Sequence, residues 1–243
     1  MSKGTDHSGD DTGEARDRTI LEDGLIVALT DLLLGDILLF RSKTATAMAI
    51  RAATGSPYTH AAIYVGDGQI AESNWPRVQV RELTEADLQK SQIGVLRSQM
   101  GFLEDRAATV RDFVEQLVKE GAGYDWQGVT TFEGRQANFY ATVMKELAAN
   151  YGKVTPKDEL LKQRYFCSAL VVACYIVAGV IGDTAHVVYP PDVFSPGDLH
   201  RDATFGWVLG YLVPPGSSVP ENDPLLFEMH WKDSNPEQRW WEL

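Results

Sequence analysis

The sequence is short of cysteine, of positive charge and of long apolar runs, and each shortage excludes something. Its 243 residues hold two cysteines, Cys167 and Cys174, too few for a disulfide scaffold. On one helical stretch these two lie about 10.5 Å apart at 1.5 Å per residue, beyond the ~7 Å between the Cα atoms of a bridged pair. A reducing compartment, or a fold without a structural disulfide, is the expectation. Lys and Arg number 22 against 34 Asp and Glu, for a net charge of −12. Nucleic acid and anionic membrane both select a basic surface, so neither is an expected partner. The apolar run Ala169 to Ala178 is half the roughly 20 residues that a bilayer span needs. Met1 to Asp17 is polar and charged and carries no signal-peptide pattern. The expected location is the cytoplasm, or outside it by an export route without a cleavable signal, as for a delivered effector. No sequence repeat is visible.

The chain is long enough to bury a sizeable core in one large domain. Residues 1–18 have little to bury and read as a disordered tail. Thr19 to Leu34 reads as a short helix or extended segment, and Gly35 to Arg41 as a strand after a turn. An Ala-rich helix over Thr44–Ala53 ends near Gly55-Ser56-Pro57. Tyr58 to Val65 and Gln69 to Asn74 form a hairpin around Gly66-Asp67-Gly68. Val78–Arg81 and Gln92–Arg97 read as strands flanking a short helix at Thr84–Gln89. Leu103, Ala107, Val110, Val114 and Leu117 make a helical stripe within Phe102–Glu120. A second amphipathic helix spans Glu133–Asn150, and Thr155-Pro156-Lys157-Asp158 has the pattern of a capped helix start. Ser195-Pro196-Gly197-Asp198-Leu199 reads as a turn and Phe205–Val213 as a strand. From 215 to 243 the chain is an extension containing Pro and Trp231, Trp240 and Trp241, which packs on the domain or grips a partner.

Two places carry chemistry. Cys167 opens the oily stretch that Gly179 closes, so it sits in a helix's first turn, where N–H groups lack partners and the macrodipole is positive. That environment favours a thiolate, and no Ser, Thr, Asp or Asn precedes Cys167 to occupy those donors. Cys174, deeper on the same helix, reads as a packed core thiol. A thiol of ordinary pKa needs an imidazole to form an ion pair and to protonate a leaving group, and a third polar group to orient that imidazole. His60, on the first strand of the hairpin, supplies the ring. A two-residue Asp67-Gly68 turn turns Glu72 to the face opposite His60. A three-residue loop with Gly68 left-handed places Asn74 opposite His60 and Glu72 diagonal to it on one face. Glu72 and Asn74 are therefore both candidates for the third group. His186, His200 and His230 lack metal-ligand spacing, and neither a metal nor a cofactor is expected.

In order along the chain, Gly35-Asp36-Ile37-Leu38-Leu39-Phe40, Tyr58-Thr59-His60-Ala61-Ala62-Ile63-Tyr64-Val65-Gly66, Gly123-Tyr124-Asp125, Tyr165-Phe166-Cys167-Ser168-Ala169-Leu170-Val171 and Ser195-Pro196-Gly197-Asp198-Leu199 resemble the circularly permuted papain-like hydrolases of the YiiX/YaeF kind. These are related to NlpC-type peptidases and to lecithin–retinol acyltransferase. The resemblance covers roughly residues 32–213. It implies an α+β fold in which an antiparallel sheet or half-barrel packs on a central helix bearing the cysteine, with the His strand preceding the Cys helix. It makes 19–214 the catalytic domain, with Cys167 as nucleophile, His60 as base, Glu72 as the third residue and Tyr58 beside the oxyanion. The stretch 128–163 departs from the family as a helical insertion, expected as a lid. The implied activity is a cysteine peptidase or amidase acting through a thioester on a small peptide, including a cell-wall peptide. The alternatives are an acyltransferase or thioesterase acting on an acyl lipid, and a binding module without catalysis.

Overall fold

The computed structural model describes residues 25–42, 45–153 and 157–227. The expectations for 1–18, for the Thr155-Pro156 cap and for the three tryptophans of the tail lie outside those residues. Ile26 bridges to Tyr211, and a 3-10 turn (Leu29–Asp31) then leads to β1 (Ile37–Ser42). Next come α1 (Ala45–Thr54), β2 (His60–Gly66), β3 (Gln69–Asn74), β4 (Arg77–Glu82), α2 (Glu85–Lys90), β5 (Ser91–Arg97) and α3 (Glu104–Lys119). They are followed by β6 (Gly123–Tyr124), α4 (Trp126–Thr130), α5 (Phe132–Asn150), β7 (Arg164–Tyr165), α6 (Cys167–Val177), α7 (Pro196–Arg201), β8 (Trp207–Leu212) and α8 (Pro224–Phe227). The strands form one curled sheet in the order β7-β6-β4-β3-β2-β1-β5-β8, antiparallel except for the short β6–β7 pair. The fold is α+β.

Strand alternation divides the apolar residues of this sheet between two cores. Ala61, Ile63 and Val65 of β2 join Val110, Val114 and Leu117 of α3 and the whole apolar length of α6. Ala62 and Tyr64 join Leu38, Phe40, Ile70, Ile93, Val95 and Leu212 on the other side. Every residue of α6 is buried, so it is the axis on which the larger core packs. At roughly 1.5–3 kcal/mol for each large apolar side chain buried, that helix is held by packing rather than by propensity, since Val and Ile are indifferent helix formers. Tyr175 satisfies its phenol at depth, 2.9 Å from the Gly35 carbonyl and 3.1 Å from that of Phe205. Gly179, at φ +68°, ends the helix and lets the Val180 N–H turn back to the Tyr175 carbonyl at 3.0 Å.

Three expectations are revised. Leu103 precedes α3 and is 74% exposed, and Phe113 takes its place in the buried stripe. Ser195-Pro196-Gly197-Asp198 is not a free turn but the start of α7, with Ser195 and Asp198 forming a capping box and Pro196 in the first turn. The insertion 128–163 is mainly α5, which ties itself to the 191–198 segment through Arg135–Asp192 (3.1 Å) and Gln136–Asp198 (2.9 Å). None of its described residues lines the cleft below. Beyond position 215 the described residues pack on the domain, which is one of the two expectations for the extension. Val219 and Leu225 belong to the larger core, and Leu225 fills the space over Gly94, where any Cβ would collide with it. Asp223, 1% exposed, accepts from the hydroxyls of Tyr58 (2.6 Å) and Tyr211 (2.9 Å) and pairs with Arg41 at 3.2 Å.

No helix among the described residues is long and apolar enough to cross a membrane.

Candidate active site

The hairpin that carries His60 solves its register in a way the sequence left open. Asp67 (φ +52°) and Gly68 (φ +72°) form a two-residue turn of left-handed residues, the geometry favoured between twisted strands. Pairing runs Gly66↔Gln69, then slips by one to Tyr64↔Ile70 and Ile63↔Ala71. The extra residue is a β-bulge, made affordable by Gly66 at φ +94°. Extending the pairing beyond the bulge sets Ala62 against Glu72, and His60 diagonal to it on the same face. The short turn and the register of a three-residue loop therefore coexist.

His60 Nε2 meets Glu72 Oε2 at 2.8 Å. Its ring is also hydrogen-bonded to Cys167, which leaves Nδ1 as the nitrogen facing sulfur. Phe40 packs on the imidazole with ring centroids 5.3 Å apart, fixing its plane. Glu72 is completely buried, and its remaining lone pairs are taken by Gln79 Nε2 (2.8 Å) and by Arg81 through Nε (2.7 Å) and Nη2 (3.3 Å). Arg81 in turn reaches Asp87 at 2.8 Å. Asn74 lines the same cleft, but it is exposed and makes no hydrogen bond to the ring. The oxygen on His60 belongs to Glu72.

Cys167 arrives from the other side of the sheet. The parallel β6–β7 pair aligns Tyr124 with Tyr165, and Ser73 Oγ donates to the Tyr165 carbonyl at 2.6 Å. This bond ties the strand of Glu72 to the segment that delivers the cysteine. Phe166, the residue before the helix, provides no side-chain cap. The sulfur itself receives backbone N–H groups from Ala61 and Ser168. Cys167 is 2% exposed and sits behind His60 and Tyr124.

Electrostatics favour the ion pair. Burial pushes the Cys167 thiol up, but the hydrogen bond and charge of His60, with the two backbone donors, outweigh it and hold the thiol below its ordinary value. Burial likewise works against the imidazolium, yet the hydrogen bonds to Cys167 and Glu72 and their charges raise His60 from 6.5 to about 10. Glu72 is held well below the usual carboxylate range by His60, Arg81 and Gln79 despite its burial. Cys174 has burial alone, which pushes its thiol upward. The two cysteines are thus opposite in character although they share one helix.

Tyr58 lies elsewhere in role. Its hydroxyl donates to Asp223 and accepts the Leu225 N–H at 3.2 Å, so its one proton is committed to the C-terminal segment. Sequence reasoning missed Tyr124, whose phenol has no hydrogen-bond partner among the described residues and whose pKa is raised by burial and by the charge at Cys167. It was quoted only as part of a motif. Gln79 and Arg81 were missed as well. Their signal was the second hairpin, where Glu72 pairs with Gln79 around Trp75-Pro76. Of the remaining histidines, His186 and His200 are buried, and His200 packs edge-on to Tyr58. Among the described residues no three His, Cys, Asp or Glu side chains gather into a metal-ligand set.

The cleft over this group has a volume of about 400 Å³ and is lined by Phe40, Ile50, His60, Asn74, Arg81 and Tyr124 among others. Fold and site together define an α+β protein with a thiol, an imidazole and a carboxylate in one hydrogen-bonded chain below a cleft.

No family model matches the chain. Over 163 residues it is 23% identical to the probable lipoprotein peptidase YaeF of Escherichia coli strain K12. That alignment covers 63% of this chain and 58% of the relative, so the chain spans little more than half of its length. The match supports a distant relationship to YaeF. Among solved structures, the metalloprotein yiiX of Escherichia coli O157:H7 is similar, with 17% identity and a TM-score of 0.39 over 60% of this chain and 65% of that one.

Proposed function

We propose that the chain is a circularly permuted papain-like cysteine hydrolase of the NlpC type, cleaving a peptide-like amide through a thioester on Cys167. The observation that carries this reading is His60, hydrogen-bonded to Cys167 on one side and to buried Glu72 on the other. The order of the chain, with the strand of His60 before the helix of Cys167, supports the permuted reading.

In this mechanism the Cys167 thiolate attacks the carbonyl carbon, and the oxygen takes the negative charge. The uncapped N–H of Cys167 at the start of α6 and the unpartnered phenol of Tyr124 are the donors for that oxyanion. His60 gives its proton to the departing nitrogen as the C–N bond breaks, leaving a thioester. A water then surrenders a proton to His60 and attacks the thioester carbonyl. The acid leaves, and the thiolate–imidazolium pair is restored. Glu72 keeps Nε2–H occupied throughout, so Nδ1 is the nitrogen that exchanges protons.

The test is labelling by iodoacetamide at neutral pH, read by peptide mass spectrometry. Cys167 is expected to react, to lose reactivity in His60→Ala, and to keep it in Cys174→Ala. Preferential labelling of Cys174, or a Cys167 rate indifferent to His60→Ala, defeats the proposal.

A further inference from the structure

We propose that the cleft continues into a second, cation-lined compartment that binds an anionic group of the substrate, a carboxylate or a phosphate two to three residues from the cleaved bond. This rests on the reading of Cys167 as the nucleophile. The compartment has a volume of about 300 Å³, and Arg41, Ser42, Arg51, Gln92 and Asn222 line it, together with the exposed Glu221. Ser42 lines both spaces. The chain also steps from one to the other at two further points. Ile50 and Ser91 face the cleft, and the next residues, Arg51 and Gln92, face the compartment.

Charge decides what the compartment accepts. Arg41 is already matched by Asp223 at 3.2 Å. Arg51 is half-buried and has no carboxylate within ion-pair distance and no hydrogen bond among the described residues. Lys90, on the cleft side, is likewise without an ionic partner among them. Within the cleft, Arg81 is saturated by Glu72 and Asp87. Arg51 and Lys90 therefore stand as uncompensated cations on a chain whose net charge is −12. A guanidinium kept partly out of water without a counter-ion is an unsatisfied donor set that matches carboxylate or phosphate geometry. Gln92, Asn222 and Ser42 add neutral polar groups around it.

The separation fits a peptide. Phe40 pairs with His60 across β1 and β2, and Ser42 lies two residues further on, about 7 Å along the strand. An extended substrate advances about 3.3–3.6 Å per residue, so a side-chain anion two to three residues from the reacting carbonyl comes to Ser42, where the compartment of Arg51 begins. A neutral substrate leaves this contact unused.

Peptide vinyl sulfones test the inference, because the thiolate adds to their alkene without any need to know the natural substrate. Three sets are identical except for glutamine, glutamate or phosphoserine placed two or three residues from the warhead. Labelling of Cys167 is read by intact-protein mass spectrometry as the rate of each anionic probe relative to its glutamine counterpart. The wild type is expected to favour a glutamate or a phosphoserine probe by about tenfold at low salt, with the advantage shrinking at high salt. A preference confined to one of the two assigns the anion as carboxylate or phosphate. Arg51→Met together with Lys90→Met is expected to erase the ratio, and Arg51→Lys to retain part of it. Using a ratio removes the effect of any partly unfolded fraction. Equal rates in the wild type, or a ratio that survives the double substitution, overturn the subsite and leave Cys167 as nucleophile. Failure of every probe to label Cys167 overturns both readings.

Discussion

Replacing Glu72 by glutamine removes one charge and almost no volume, which makes it the sharpest probe of the hydrogen-bonded chain. The rise of His60 from 6.5 to about 10 corresponds to roughly 5 kcal/mol favouring the imidazolium, at 1.36 kcal/mol per pH unit. Cys167 contributes the first share and Glu72 the second, both working against burial. Assigning the carboxylate somewhat less than half gives about 2 kcal/mol, or about thirtyfold in the population of the ion pair. Arg81 keeps Asp87 at 2.8 Å, so the half-buried guanidinium is not stranded and the fold survives the loss. In Glu72→Gln the His60 imidazolium is expected to give up its proton about 1.5 pH units lower than in the wild type. The assay follows the imidazole resonances of His60 by nuclear magnetic resonance from neutral to alkaline pH in a Cys174→Ala background. Asn74→Ala is the matched control, since that exposed amide does not touch the ring. A His60 midpoint that stays within about 0.3 pH units of wild type, against the shift worked above, would refute the reasoning. So would an effect of the same size in Asn74→Ala.

Three other outcomes are expected. The raised His60 value links to stability that is complete below 6.5 and lost as pH rises through about 10, while the lowered Cys167 value links to stability present above 9.0 and lost as pH falls. Above 9.0 the Cys167 contribution is complete and only that of His60 still changes, so the difference in unfolding midpoint between wild type and His60→Ala should shrink between 9.0 and about 10. A difference that instead grows across that alkaline interval contradicts the ion pair. Tyr124→Phe should slow acylation by p-nitrophenyl acetate by about tenfold or more while leaving iodoacetamide alkylation nearly unchanged, because only the ester develops an oxyanion; equal slowing of both reactions assigns the phenol to packing. Leu225→Ala should cost about 2–4 kcal/mol in urea unfolding, and a negligible cost would mean that the segment beyond 215 is a loose appendage after all.

Much of the architecture was legible because it is local. The oily helix announced itself through Ala169 to Ala178 and its closing glycine, and the strands through apolar runs bounded by turn residues. The pairing of His60 with Glu72 was half legible. Alternation allowed two answers, and the choice between them was made by a bulge whose only trace in the sequence is Gly66 beside Asp67-Gly68. Gln79 and Arg81 escaped notice because their bond to Glu72 depends on the register of a neighbouring strand, which no single segment encodes. Tyr58 was misplaced for a related reason. Its partner Asp223 lies 165 residues away, in a stretch whose composition suggests a tail. Long-range pairing of polar side chains leaves no periodicity to read.

The bulge between Tyr64 and Gly66 separates what this protein looks like from what it is able to do. A chain lacking that one residue would keep the glycine-bearing corner and still carry the cysteine, the histidine and the glutamate. Its glutamate, however, would look out from the opposite side of the ribbon, and the imidazole would lose its anchor. Silence among such relatives could therefore be written in the length of a hairpin, where an inventory of conserved-looking side chains would find nothing missing.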